Sequence, residues 1–221
     1  MLRDLRLYQL ISPALPIGGF TYSQGLEWAV EAQWVHDKDT FEGWVDSLLE
    51  HSIATLDLPI LLRLHKACAD ADWAGLQHWC RFLLANRETM ELRKEERQRG
   101  AALLKLLPDL EIDIPSAMEE YFGSNQLAGM ALAATHWRIT ADKIISGYTW
   151  GWLEGTVMAG VKLIPLGQTQ GQQLTLKLAD KIPSALAIAR KVQDSEIGSS
   201  TPAQAIASSR HETQYTRLFR S

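Results

Sequence analysis

Apolar residues recur at three- and four-residue steps along most of the chain. Phe41, Trp44, Val45, Leu48, Leu49, Ser52, Ile53 and Leu56 form one such stripe, which predicts a helix with a single buried face. Asp39, with Glu42 three residues on, reads as its capping box. Pro59 lacks an N–H and is expected to kink or restart the helix, whose next face is Leu58, Leu61, Leu64, His65 and Cys68. Asp72 opens another with Trp73, Leu76, Trp79, Cys80, Leu83 and Leu84. A long helix is expected from Arg87 to Leu107, ended by Pro108, and Ser116 with Glu119 resembles a further capping box before a short helix that Gly123 interrupts. Helices also fit Ser124 to Trp137, Thr140 to Ala159, and Gln168 to Arg190 with a break near Pro183. Thr201-Pro202 places a cap before a proline at the first helical position. No run alternates apolar with polar residues. The pattern therefore predicts an all-α, helical-bundle-like single domain over residues 1–209, with roughly eight to ten helices and a flexible tail at 210–221.

One helix carries a second signal. Gly147, Gly151, Gly155 and Ala159 recur every fourth residue. Each interior glycine costs about 1 kcal/mol against alanine, so the ridge predicts a close helix crossing, in the core or at a subunit interface. The surrounding run from Gly147 to Gly167 is weakly polar, yet it contains Glu154 and Lys162, which disfavours a membrane span.

Composition narrows the class. The chain has 221 residues, 46% of them hydrophobic, enough for a sizeable core. A net charge of −4 argues against a general nucleic-acid binder, and two cysteines, Cys68 and Cys80, provide no disulfide framework. The start, MLRDLRLYQL, has no apolar signal core, so a cytoplasmic setting is expected.

Candidate chemistry is sparse. SPALPIGGFTYSQGLEWAV holds Pro16, Gly18, Gly19 and Gly25, but five residues separate Gly19 from Gly25 and Leu26 follows, so neither a Walker loop nor a dinucleotide fingerprint is present. Thr21 with Gln24 resembles a helix cap instead. His65 and Cys68 share a helix face, but His78 and Cys80 point about 200° apart, which is poor geometry for joint metal ligation. His36-Asp37 lacks the additional ligands of a phosphohydrolase, and no serine sits in a nucleophile elbow. No catalytic residue, metal ligand or cofactor is assigned. The charged stretch from Arg87 to Arg99 reads as a solvated face or as a polar docking surface. The tail ASSRHETQYTRLFRS mixes Arg210, Arg217 and Arg220 with Tyr215, Leu218 and Phe219, the composition of a frayed end or of an interface anchor.

Four segments in order carry a resemblance: LISPALPIGGFTYSQGLEWAV, RETMELRKEERQRG, SGYTWGWLEGTVMAGVKLIPLGQ and SSRHETQYTRLFRS. Together they resemble the UreF family of urease accessory proteins from about Leu7 to Ser221. The resemblance implies an all-helical, cytoplasmic, dimerising protein that is not an enzyme. It implies partnership with UreD (UreH in some organisms), recruitment of the GTPase UreG, and action on apo-urease during nickel insertion. It further implies partner-facing roles for Tyr22, Ser23 and Glu27 in the first segment, and for Arg217, Leu218 and Phe219 in the tail, flanked by Arg210, Tyr215 and Arg220. Arg87, Glu88 and Arg93 would lie beside that surface. Pro16, Gly18, Gly19, Gly25, Gly155, Gly160, Pro165 and Gly167 would be structural, as the spacing already suggests for Gly147 and Gly151. Three alternatives stay open: an arginine finger acting on the GTPase from Arg87, Arg93 or Arg217, a nickel-binding chaperone using the cysteines, and an unrelated helical hydrolase.

Overall fold

The computed structural model describes residues 1–199 and 201–221. Among them there is no strand, and the α-helical segments number twelve. They are α1 Leu2–Ile11, α2 Leu26–Glu31, α3 Lys38–Leu48, α4 Leu58–Asp70, α5 Trp73–Ala85 and α6 Met90–Asp109. Then come α7 Glu119–Phe122, α8 Gln126–His136, α9 Ala141–Leu163, α10 Gln168–Ala179, α11 Ile182–Lys191 and α12 Pro202–His211. The all-α expectation holds, and the larger count arises because residues Leu2–Ile11 form a helix that was not anticipated and the segment from Gln168 to Arg190 divides into α10 and α11.

α3 and α4 form one rod, which corrects the reading of Pro59. Residues Leu49–Asp57 widen into a π-helix, and the chain runs on through Pro59 without breaking. Proline forfeits the bond to the carbonyl four residues back, which here belongs to Thr55. The Gly198 N–H donates to that oxygen instead, at 3.2 Å. The cap of α3 also lies two residues earlier than expected: Asp37 accepts from the Thr40 N–H while the Thr40 hydroxyl reaches back. Asp72 caps α5 as anticipated, and Thr140 caps α9. Thr21 caps nothing, because its hydroxyl closes a turn onto the Gly18 carbonyl and α2 begins after Gly25. Pro108 is accommodated in the last turn of α6, and Ser116 begins a 3₁₀ turn with no side-chain cap.

The core sits around α8, whose residues from Gln126 to Ala134 are all buried. Its small side chains let α4, α6 and α9 pack on it from three sides. The glycine ridge of α9 does half of what was expected. A Cβ on Gly147 would lie 2.8 Å from the Leu7 side chain and one on Gly151 3.2 Å from the Ile11 carbonyl, so α1 crosses there. Gly155 faces open space. Gly160 is pressed against the ring of Phe41, where a Cβ would overlap it.

The tail is not loose. Phe219 and Ser221 are buried, and residues 217–221 lie against α2, α6 and the loop before α2. Composition suggested fraying; buried carboxylates far away in sequence supply the donors' partners.

Candidate functional site

The central polar feature of the fold is a row of acids on α6 that faces inward. Glu91, Glu95 and Glu96 are all buried, in the same helical phase as Leu92, Gly100, Leu103 and Leu107. A buried carboxylate is tolerated only when paired and hydrogen-bonded, and three arginines and His211 meet this row.

His211, fully buried at the end of α12, places Nδ1 2.7 Å from Glu91 and Nε2 3.1 Å from Glu27 of α2. The imidazole thus bridges the two carboxyl groups through both of its nitrogens. The same two acids hold the tail. Glu27 accepts from the backbone N–H of Leu218 at 2.6 Å and of Phe219 at 2.9 Å, and Glu91 accepts from Arg217 at 2.8 Å. The Ser221 carbonyl then accepts from the Ser23 and Gln24 N–H groups and from the Ser23 hydroxyl at 2.6 Å. Glu212 accepts from the Met90 and Glu91 N–H groups, placing a negative charge at the start of α6. The glycine-rich loop thus holds the chain's own tail, with no phosphate geometry in sight. Gly25 is required there twice over: its φ is +87°, and a Cβ would lie 2.7 Å from the Ser208 nitrogen of α12. Gln24, with φ +54°, is also left-handed, and is fixed by Glu95 and by the Trp152 indole N–H.

The second ionic group centres on Arg87. Its guanidinium contacts both oxygens of Asp57 at 2.6 and 3.2 Å and Glu96 at 2.6 and 3.0 Å. Tyr148 donates to Asp57 as well, at 2.9 Å. Burial lifts the Glu96 carboxyl above its ordinary value, against the pull of Arg87. Burial opposes the charge on Arg87, but Asp57 and Glu96 outweigh it and hold the guanidinium protonated. Arg99 pairs with Glu95 in the same layer.

On the outside, Tyr215 is fully exposed and Leu218 is 67% exposed, with Arg210 and Arg220 exposed beside them in sequence. Phe219 turns inward under Lys162, whose ammonium lies 5.7 Å from the ring centroid. The tail therefore alternates: Leu218 and Arg220 out, Phe219 and Ser221 in.

The UreF family model matches residues 35–179. Relatives named urease accessory protein UreF extend the match. The one from Pseudomonas putida (strain F1) is 54% identical over 217 residues, covering 98% of this chain and 97% of its own. Those from Klebsiella pneumoniae (strain 342) and Citrobacter koseri are 51% and 50% identical over the same shares. The chain belongs to the UreF family.

Within this UreF-family fold, several residues expected on a partner surface lie elsewhere. Ser23 and Glu27 are buried under the tail, and Arg87 is spent on Asp57 and Glu96. Arg93 caps the Arg87 carbonyl, while Glu88 is exposed. Tyr22 is buried, with its hydroxyl donating to Gln98 at 2.6 Å. The stretch from Arg87 to Arg99 is thus divided: Glu88, Lys94, Arg97 and Gln98 are exposed, whereas Glu91, Glu95 and Glu96 are turned inward. Of the structural residues, Gly18 adopts φ +72°, Gly19 abuts Arg99, Gly167 precedes α10 with its N–H on Gln170, and Pro16 and Pro165 lie in the turns before α2 and α10. Sequence reasoning missed Asp57, Glu91, Glu95, Glu96 and His211. The signal was present as acids placed in the apolar phase of α6.

Among the described residues, no three His, Cys, Asp or Glu side chains are grouped to hold a metal ion. The His65 ring contacts the Ile139 carbonyl, and burial pushes the Cys68 and Cys80 thiols up to about 12 and about 11. No described helix is long and apolar enough to cross a membrane.

Proposed function

We propose that the chain is a urease accessory protein that works as a non-catalytic scaffold. In this reading it pairs as a homodimer in the cytoplasm, joins UreD (UreH), and recruits the GTPase UreG to apo-urease, so that GTP hydrolysis is coupled to nickel insertion. Kinship with relatives named urease accessory protein supports the outline. The observation that carries the scaffold reading is the clasped tail. Glu27 and Glu91 hold its backbone and Arg217 from beneath, so that Tyr215 and Leu218 project from an ordered seat. Aromatic and arginine side chains presented with little entropy left to lose are the usual makings of an interface hot spot. The geometry also weighs against Arg87 as an arginine finger, since both carboxylates would be stranded if it left.

The test is copurification with UreD and UreG of the intact chain and of Tyr215→Ala/Leu218→Ala, with urease activation as the second readout. Both replaced side chains point outward, so the variant should melt with the parent while losing partner and activation by tenfold or more. Full complex and full activation from the variant would overturn the tail assignment. Truncation is a poorer test, because it would strip buried Phe219 and Ser221 from the fold.

A further inference from the structure

α6 sorts its charges by sign. Its acids Glu91, Glu95 and Glu96 are buried, and the ion pairs the helix makes use only these and Arg99. Three other bases stay outside. Lys94, Arg97, Ala101 and Lys105 are exposed and follow one another at steps of three, four and four residues, so they form one ridge. It spans about 16 Å of helix axis, and no exposed position between Lys94 and Lys105 is an acid. Glu88 and Asp109 are exposed only beyond its two ends. The tail widens the same face. Arg217 reaches Glu91 at 2.8 Å while staying 40% exposed, and Arg220 is exposed close to the Tyr22 phenol, which donates to Gln98 beside the ridge. The ridge is presented rigidly. A Cβ on Gly100, on the inner side of α6, would lie 2.5 Å from the Asn125 nitrogen, so the helix is seated directly on the start of α8. A chain of net charge −4 therefore carries a positive strip, created by turning three acids of one helix inward.

We propose that this ridge docks a partner protein through an acidic helix, whose carboxylates recur at the same three- and four-residue steps. Charge complementarity sets the sign of the partner, and the period of the ridge sets its shape. The strip is one side chain wide and broken by Ala101, with exposed Met90 and Pro108 in the same helical phase at its ends. It suits a helix that alternates acids with small apolar residues. A uniform polyanion would run past both ends and meet the negative charge of the remaining surface. Exposed charge pairs contribute more to selectivity and encounter rate than to affinity, so the expected signature is discrimination between patterns of charge. The inference holds whichever protein the outward side chains of the tail engage.

The test uses the full chain and two labelled, capped peptides of about 20 residues, long enough to hold a helix. Both are built from alanine and glutamine with four glutamates. One places them at steps of three, four and four residues, and the other has the same composition with the glutamates spread around the helix. Fluorescence anisotropy at low salt should show saturable binding of the patterned peptide, at least about fivefold tighter than the permuted one and weakening as salt is added. Lys94→Gln/Arg97→Gln/Lys105→Gln should bring the patterned peptide down to the permuted level. Arg3→Gln/Arg138→Gln/Lys191→Gln removes the same charge from exposed positions elsewhere and should keep the preference. Both variants should melt with the parent, since every replaced side chain is exposed. Tyr215→Ala/Leu218→Ala should also keep the preference, so a failure of the tail assignment would leave this result untouched. No saturable binding of the patterned peptide, equal affinity for the two peptides, or a preference that survives neutralisation of the ridge would each overturn the proposal. So would tighter, ridge-dependent binding of polyuridylate or of phosphatidylglycerol vesicles.

Discussion

Replacing Arg87 by methionine keeps the aliphatic stem and removes the charge between Asp57 and Glu96, whose side chains are 2% and 9% exposed. Two carboxylates would then face each other across a dry site, with only Tyr148 left to donate. Breaking a buried pair by removing one partner costs about 3 to 5 kcal/mol. At about 2 to 4 °C per kcal/mol for a chain of this size, the melting temperature should fall by about 6 to 20 °C. The pH dependence carries the sharper sign. Glu96 already sits above its ordinary value of 4.5 because of burial, with Arg87 pulling it down. Without Arg87 its folded form holds the proton still more tightly than the unfolded chain does. The folded state then gains stability as the pH falls. The deficit of the variant should therefore be largest at neutral pH and shrink as pH falls toward the ordinary glutamate range. Urea denaturation followed by circular dichroism at several pH values measures both effects. Adding Asp57→Asn and Glu96→Gln should restore most of the loss. A deficit below about 1 kcal/mol, or one that does not change with pH, would refute the picture of a dry cluster and return Arg87 to the surface.

Three further outcomes are expected. Gly160→Ala should lower stability by about 1 to 3 kcal/mol, because its Cβ meets the Phe41 ring, whereas Gly155→Ala in the same helix should raise it by about 0.5 to 1 kcal/mol; thermal melts of both decide it. Glu27→Gln should cost about 1.5 to 3 kcal/mol and speed amide exchange selectively at Leu218 and Phe219, read by hydrogen-exchange mass spectrometry. Cys68 and Cys80, whose thiols burial holds protonated at about 12 and about 11, should resist a thiolate-directed reagent at pH 8 until the protein is unfolded.

What could be read in advance was whatever is decided within one turn of helix. Asp72 caps as expected because it needs only a backbone N–H three residues away. The stripe from Phe41 to Leu56 is buried as its period requires, since no distant group competes for it. Pro59 was misjudged because its cost is relieved from outside the helix, by the Gly198 N–H. Gly147 and Gly155 look alike in sequence, yet only the first is crossed by α1. The clasp was the hardest to foresee. Glu27, Glu91 and His211 are ordinary surface residues by type, and nothing in a single sequence says that three elements converge on one imidazole.

The clasp also has a consequence for the order in which the protein is made. His211 follows its partner Glu27 by 184 residues. At about 5 to 20 residues per second, ribosomes deliver it about 10 to 40 s later. Throughout that interval Glu27 of α2 and Glu91 of α6 lack the imidazole that joins them. The apolar stripes of α3, α4 and α5 face no such delay. Folding of the nascent chain is thereby split in time, with a helical core free to form early and an acidic seam kept open until the last segment arrives. Chains cut short before His211 leave their carboxylates solvated and the seam unsealed, so the surface that displays Tyr215 and Leu218 is assembled only on finished molecules.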